Sequence, residues 1–206
     1  MQERKNALQR KIKAWTTIQH LYIPEVAALR VHEDREVSND APEIAPYDLP
    51  LHLPSSLPAR IPCTLKLRQY EFRLREAQAH ESLEELRHHL RLRTHMYKYK
   101  DKNITGQRAN TRSQSSINRV QKKVDASAAR YTAARHALTK LSRHVEGGEW
   151  STRLLPLAQE DIRPLMIGEE GQSEGRRTLS WIWKVVGVSD QSQNEDMQEG
   201  RRKYHV

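Results

Sequence analysis

From Ile117 onward the residues Val120, Val124, Ser127, Tyr131, Ala134, Leu138, Leu141 and Val145 follow at alternating steps of three and four, without a break. That spacing is the mark of a coiled-coil seam. A helix carrying one narrow apolar stripe must cover it with another element, so the chain has to supply a second rod. Residues 64–100 provide the candidate. They contain no Gly or Pro, and Leu67, Tyr70, Leu74 and Ala77 fall in heptad steps. Leu83, Leu86, Leu90 and Met96 or Tyr97 continue that stripe after a phase shift. Between the rods, DKNITGQRANTRSQS is rich in turn formers and reads as a loop of about a dozen residues. Gly147 and Gly148 are expected to stop the second helix. The predicted fold is therefore all-α: a long antiparallel helical hairpin, coiled-coil-like, over 64–146.

The hairpin's seam is thin, because only 36% of the chain is hydrophobic while 30% is charged. Trp15, Trp150 and the C-terminal segment are expected to buttress its base, as short helices packed from either end of the sequence. Residues 1–33 read as N-terminal helices. Leu8, Ile12, Trp15, Ile18 and Tyr22 form one stripe, and Pro24 suits the first turn of a second helix, where its missing N–H has no intrahelical partner. Residues 34–63 read as a Pro-rich linker. Prolines 42, 46, 50, 54, 58 and 62 exclude a helix, and their spacing of four does not match the three-residue turn of polyproline II. The interleaved leucines are expected to pack this segment on a helix. Residues 147–188 read as a C-terminal packing segment. Within them, 173–186 fits a helix stripe and also a strand alternation, with helix favoured because a lone strand has nothing to pair with. Residues 189–206 form a polar tail, expected to be disordered.

Charge is concentrated in one stretch. Residues 87–123 hold 11 Lys and Arg against one acid, Asp101, whereas the rest of the chain has 24 Lys and Arg against 25 Asp and Glu. A local field of one sign points to an anionic partner. Arg87, Arg91, Arg93, Lys98, Lys100, Lys102, Arg108, Arg112, Arg119, Lys122 and Lys123 are the candidate nucleic-acid-binding residues, concentrated at the far end of the hairpin. Tyr97 and Tyr99 lie among them as stacking surfaces.

Other chemistry is weakly supported. His80, Glu84 and His88 lie four apart on one helical face, but stripes of this kind are routine on solvated helices, and no metal site is expected. Glu81, Glu84 and Glu85 sit at ion-pair spacing from Arg75, Arg87 and Arg91, which reads as a salt-bridged surface and not as an acid–base group. There is no Gly-rich phosphate loop, HExxH or nucleophile elbow. No cofactor and no small-molecule substrate are expected, and the chain is not expected to be an enzyme. Cys63 is the single cysteine, so no disulfide forms within the chain. No run of 18 apolar residues exists, and MQERKNALQRKIKAW lacks the apolar core of a signal peptide, so an intracellular protein without a membrane partner is expected.

Four blocks in fixed order carry a family resemblance: RKIKAWTTIQHLYIPEVAALR, LRQYEFRLREAQAHESLEELRHHLRLRTHMYKYKD, TGQRANTRSQSSINRVQKKVDASAARYTAARHAL and SEGRRTLSWIWKV. The chain resembles the C-terminal helical part of fungal KDZ transposase-like proteins, the Kyakuja, Dileera and Zisupton group. The resemblance implies that the chemistry of the family, an RNase H-like domain and a cysteine-rich region, lies upstream of Met1. It implies a non-catalytic fragment or a separately expressed remnant, located in the nucleus, with no catalytic residue to carry over. Partners expected on this basis are nucleic acid, the parent transposase domain, or a second copy of the chain.

Overall fold

The computed structural model describes residues 2–36, 45–165 and 179–185. All regular structure among them is helical: α1 (Gln2–Tyr22), α2 (Glu25–Glu36), α3 (Leu65–Asn103), α4 (Gln107–Leu141), α5 (Trp150–Arg153) and single 3-10 turns at Gln159–Asp161 and Trp181–Trp183. The chain divides into two compact units, one drawn from Met1–Glu71 with Arg143–Val145, the other from Phe72–Ser142 with Glu146–Val206.

In the first unit a small apolar core is framed by buried polar anchors. Ile23, Val26 and Ile61 form the core, with Leu29, Leu57, Cys63 and Leu67 packed against it. Pro24 stands directly before α2, as its missing N–H predicts. The described part of the Pro-rich segment, residues 45–64, makes turns and no helix, and Leu57 packs against the core of Ile23, Val26 and Ile61 while Leu51 is exposed. Prolines leave few donors, so side chains fix this backbone in place. Gln19, buried on α1, donates its amide to the carbonyls of Leu51 (3.0 Å) and His52 (2.8 Å), and Arg30 donates to the Gln19 carbonyl oxygen at 3.0 Å. His52 is held at φ 49°, a left-handed conformation that costs a non-glycine residue about 1–2 kcal/mol, and its ring pairs with Glu33 at 2.9 Å. Glu71, also buried, accepts from the Ser55 N–H (2.7 Å) and hydroxyl (2.6 Å).

The predicted stripe of α1 is covered only in part. Ile12 and Trp15 are half-buried, Leu8, Ile18 and Tyr22 are exposed, and the one buried position is Gln19. The backbone carbonyls of residues 51 and 52 need an amide donor, and that requirement sets the inward face of the helix.

In the second unit two long helices, α3 and α4, pack against each other. The α4 seam is as the spacing predicts, with Ile117, Val120, Val124, Ser127, Tyr131, Ala134, Leu138 and Leu141 all buried. On α3 the later stripe of Leu83, Leu86 and Leu90 is also buried. The earlier heptad is out of phase. Leu74 is 71% exposed, Tyr70 and Ala77 are exposed too, and Phe72 and Ala79 face the core in their place. Phe72 is fixed from outside the helix: Trp150 meets its ring edge-on at 6.3 Å, and Gly147 lies close against it. A Cβ on Gly147 would stand 2.2 Å from Phe72 Cζ, so no larger residue fits without displacing the ring.

The polar loop is much shorter than expected. α3 runs to Asn103 and α4 begins at Gln107, so Ile104–Gly106 alone connects them, with Gly106 at φ 83°. The polar residues around it are helical, and several of their side chains bond back to the preceding turn instead of opening a loop: Asn103 to Tyr99 O (3.1 Å), Thr111 to Gln107 O (3.0 Å) and Ser116 to Arg112 O (3.3 Å). α4 also ends earlier than Gly147 would suggest, at Leu141, with the Ser142 N–H closing on Leu138 O at 2.8 Å.

Trp150, Leu154 and Ile182 are buried in this unit. Tyr131 donates its hydroxyl to Leu155 O at 2.6 Å, Arg135 donates to Leu154 O at 2.9 Å, and the Tyr131 and Trp181 rings lie 5.9 Å apart. Burial pushes the Tyr131 phenol well up from its usual range, so it stays protonated and donates. Of the ambiguous 173–186 segment only Leu179–Val185 is described, and it makes a single 3-10 turn. The 189–206 tail lies outside the described residues.

Candidate nucleic-acid interface

The eleven candidate cations do not share one environment. Arg87 is 7% exposed and fully engaged: Nε donates to Ile182 O at 2.5 Å, one terminal nitrogen to Val185 O, and the other to Glu84 at 2.8 Å. Its role is to fasten the Trp181–Trp183 turn to α3. Arg91 lies over the Trp183 ring at 5.1 Å and faces Glu84 at 3.9 Å. Arg93 donates to Gln121, and Lys100 donates to Gln114 at 2.8 Å, so both join α3 to α4. The sequence displays all four as charges without revealing that they are occupied, because most of their partners are carbonyls, amides and a ring far away in the chain.

The other seven, Lys98, Lys102, Arg108, Arg112, Arg119, Lys122 and Lys123, are exposed, and no hydrogen bond or ion pair to their charged ends is found among the described residues. They occupy the last turns of α3 and the first half of α4, on either side of Ile104–Gly106. On α4 a finer pattern emerges. Arg108, Arg112, Ser115, Arg119 and Lys122 recur at steps of four, three, four and three, which is one face of a helix segment about 21 Å long. Lys100, Arg119 and Lys122 line a shallow groove of about 730 Å³, and Arg108, Arg112 and Arg119 another of about 610 Å³. The same spacing rule that exposes the seam exposes this basic stripe in the sequence, read one face over.

A notch of about 900 Å³ lies where the two helices meet the turn. Met96, Tyr99, Ile104 and Ala109 give it an apolar lining, and Arg108 and Arg112 stand at it. Sequence reasoning missed this cavity, since a loop of a dozen residues would have kept these side chains apart.

The remaining candidates are occupied otherwise. Glu84 faces Arg87 and Arg91, and Glu85 pairs with Arg130, while Ser127 bridges to the His89 ring at 3.3 Å. Desolvation lowers the affinity of His80 and His89 for a proton, so the neutral rings dominate near neutral pH. No cluster of three or more metal-ligating side chains occurs among the described residues. Burial raises the Cys63 thiol above its ordinary value, which keeps it protonated and unreactive. No described helix is long and apolar enough to cross a membrane. Compared with family models, curated proteins and solved structures, the chain matches none.

Proposed function

We propose that this chain is a non-catalytic element that holds nucleic-acid backbone at the basic turn of an antiparallel helical hairpin. The hairpin reading is supported by the cross-helix pairs Glu85–Arg130, His89–Ser127, Arg93–Gln121 and Lys100–Gln114, whose numbers rise on α3 as they fall on α4. The observation that carries the function is the stripe Arg108, Arg112, Arg119 and Lys122, exposed and without protein partners among the described residues. Cations used for solubility need not share a face; cations that track a phosphate chain do. In this reading the resemblance to the C-terminal helical part of KDZ transposases supplies the context, a nuclear accessory segment, and residues 34–63 join the N-terminal helices to the hairpin. The test is a titration of labelled duplex DNA at several salt concentrations. With five or six phosphates neutralised, log K should fall against log salt with a slope of about −5. Absence of binding at about 50 mM salt, where such contacts are strongest, would remove the proposal.

One observation favours a second reading, an assembly module. Ile18, Leu21 and Tyr22 leave apolar area exposed at the end of α1. Self-association through that face should appear as concentration-dependent mass in sedimentation, and it should disappear in Ile18→Lys with Leu21→Lys. Leu138 and Leu141 are unsuitable for this test, since both are buried in the seam and their loss would unfold the second unit.

A further inference from the structure

We infer that the notch beside the turn receives one unstacked base of a single-stranded nucleic acid, with Arg108 and Arg112 on its flanking phosphates. The inference rests on the backbone-contact reading and narrows it to a substrate class. Cations alone do not distinguish a strand from a duplex, but the notch does. It is an open recess of about 900 Å³, roomy enough to admit a base, and Met96, Tyr99, Ile104 and Ala109 make most of its lining apolar, with His95 among them. A base locked in a duplex cannot reach a recess of this kind. Phosphates of that duplex would touch only the arginines and leave the apolar lining wet. A splayed base brings an apolar face of its own, for which Tyr99, 58% exposed, is a ready stacking platform.

Charge complementarity favours an anionic occupant. The recess joins an apolar lining to two guanidinium groups that make no hydrogen bond or ion pair among the described residues, with His95 beside them, which suits an occupant carrying both a flat apolar face and flanking anions, as a nucleotide does. Arg108 and Arg112 are one turn apart on α4, so they rise about 6 Å along the helix and can hold the phosphates on either side of one nucleotide. The polar edge of the base then meets Ser113 or Ser116, which close the same recess.

The experiment compares the full-length chain on a labelled oligothymidylate and on a duplex with an equal number of phosphates, at one salt concentration. The single strand is expected to bind more tightly. Tyr99→Ala is expected to shrink that preference by about fivefold or more. Lys122→Ala, on the stripe but outside the notch, is expected to weaken strand and duplex alike and keep the preference. An Ala109→Trp substitution, which fills the recess from an exposed position, should act like Tyr99→Ala. Equal binding of strand and duplex, unaffected by Tyr99→Ala and Ala109→Trp, would overturn the notch while leaving the backbone reading in place. No binding to either nucleic acid would overturn both. A concentration-dependent dimer that Tyr99→Ala abolishes would overturn the inference by giving the notch to a second copy of the chain.

Discussion

Arginine appears in two guises on the same pair of helices. Arg87, Arg130 and Arg135 are spent on Ile182 O, Glu85 and Leu154 O, so that their charges hold segments of the second unit together. Arg108, Arg112 and Arg119, beyond the turn, have no such partners among the described residues and present their charges to solvent on one face. The residue type is the same and the helical setting is the same. What differs is whether a carbonyl or carboxylate arrives from elsewhere in the chain, and that alone separates an internal fastener from a surface that can take an anion.

The contrast can be broken from the structural side first. Arg87→Ala should lower the stability of the second unit by roughly 2–3 kcal/mol, because it strands two carbonyls formerly bonded to one buried charge. A shift of the urea midpoint checks this, and the salt slope of nucleic-acid binding should not change once the variant is folded. Gly147→Ala should cost about 1–3 kcal/mol by driving a methyl into the Phe72 ring, again read from the urea midpoint. On the other side of the contrast, Arg119→Ala should leave the midpoint within about 0.5 kcal/mol of the parent while reducing the salt slope by about one. The smallest effect concerns pH. His80 and His89 bind protons less readily in the folded chain than when unfolded, so the unfolded state takes up more protons as the solution is acidified. The stability they contribute is present above their ordinary value of 6.5 and is lost as pH falls through the lowered folded value. Urea midpoints should therefore drop on going from pH 7 to pH 5, and less so in His80→Gln.

How far the sequence reaches depends on where each residue's partner lies. The α4 seam was legible at every position from Ile117 to Leu141 because a rod packed along its whole length needs only its own periodicity. The first half of α3 was not, since Tyr70–Leu74–Ala77 and Phe72–Ala79 both make acceptable stripes. The choice between them is made by Trp150 and Gly147, some 75 residues on. The turn was overestimated for a different reason. Asp101, Asn103, Asn110 and Ser113 are turn formers by propensity, yet all four lie in helix, and Asn103 places its side chain on Tyr99 O one turn back. The candidate interface was legible as a dense stretch of charge, but not in its division into bound and unbound arginines. Ile182 O and Val185 O, which claim Arg87, are backbone atoms with no signature in composition.

The most direct measurement replaces Arg108, Arg112, Arg119 and Lys122 together by Gln and repeats the salt titration beside the parent chain. The expected result is a slope smaller in magnitude by about three to four, with the urea midpoint unchanged. A slope equal to the parent's in a folded variant would contradict the claim that this face of α4 carries the contact with phosphate.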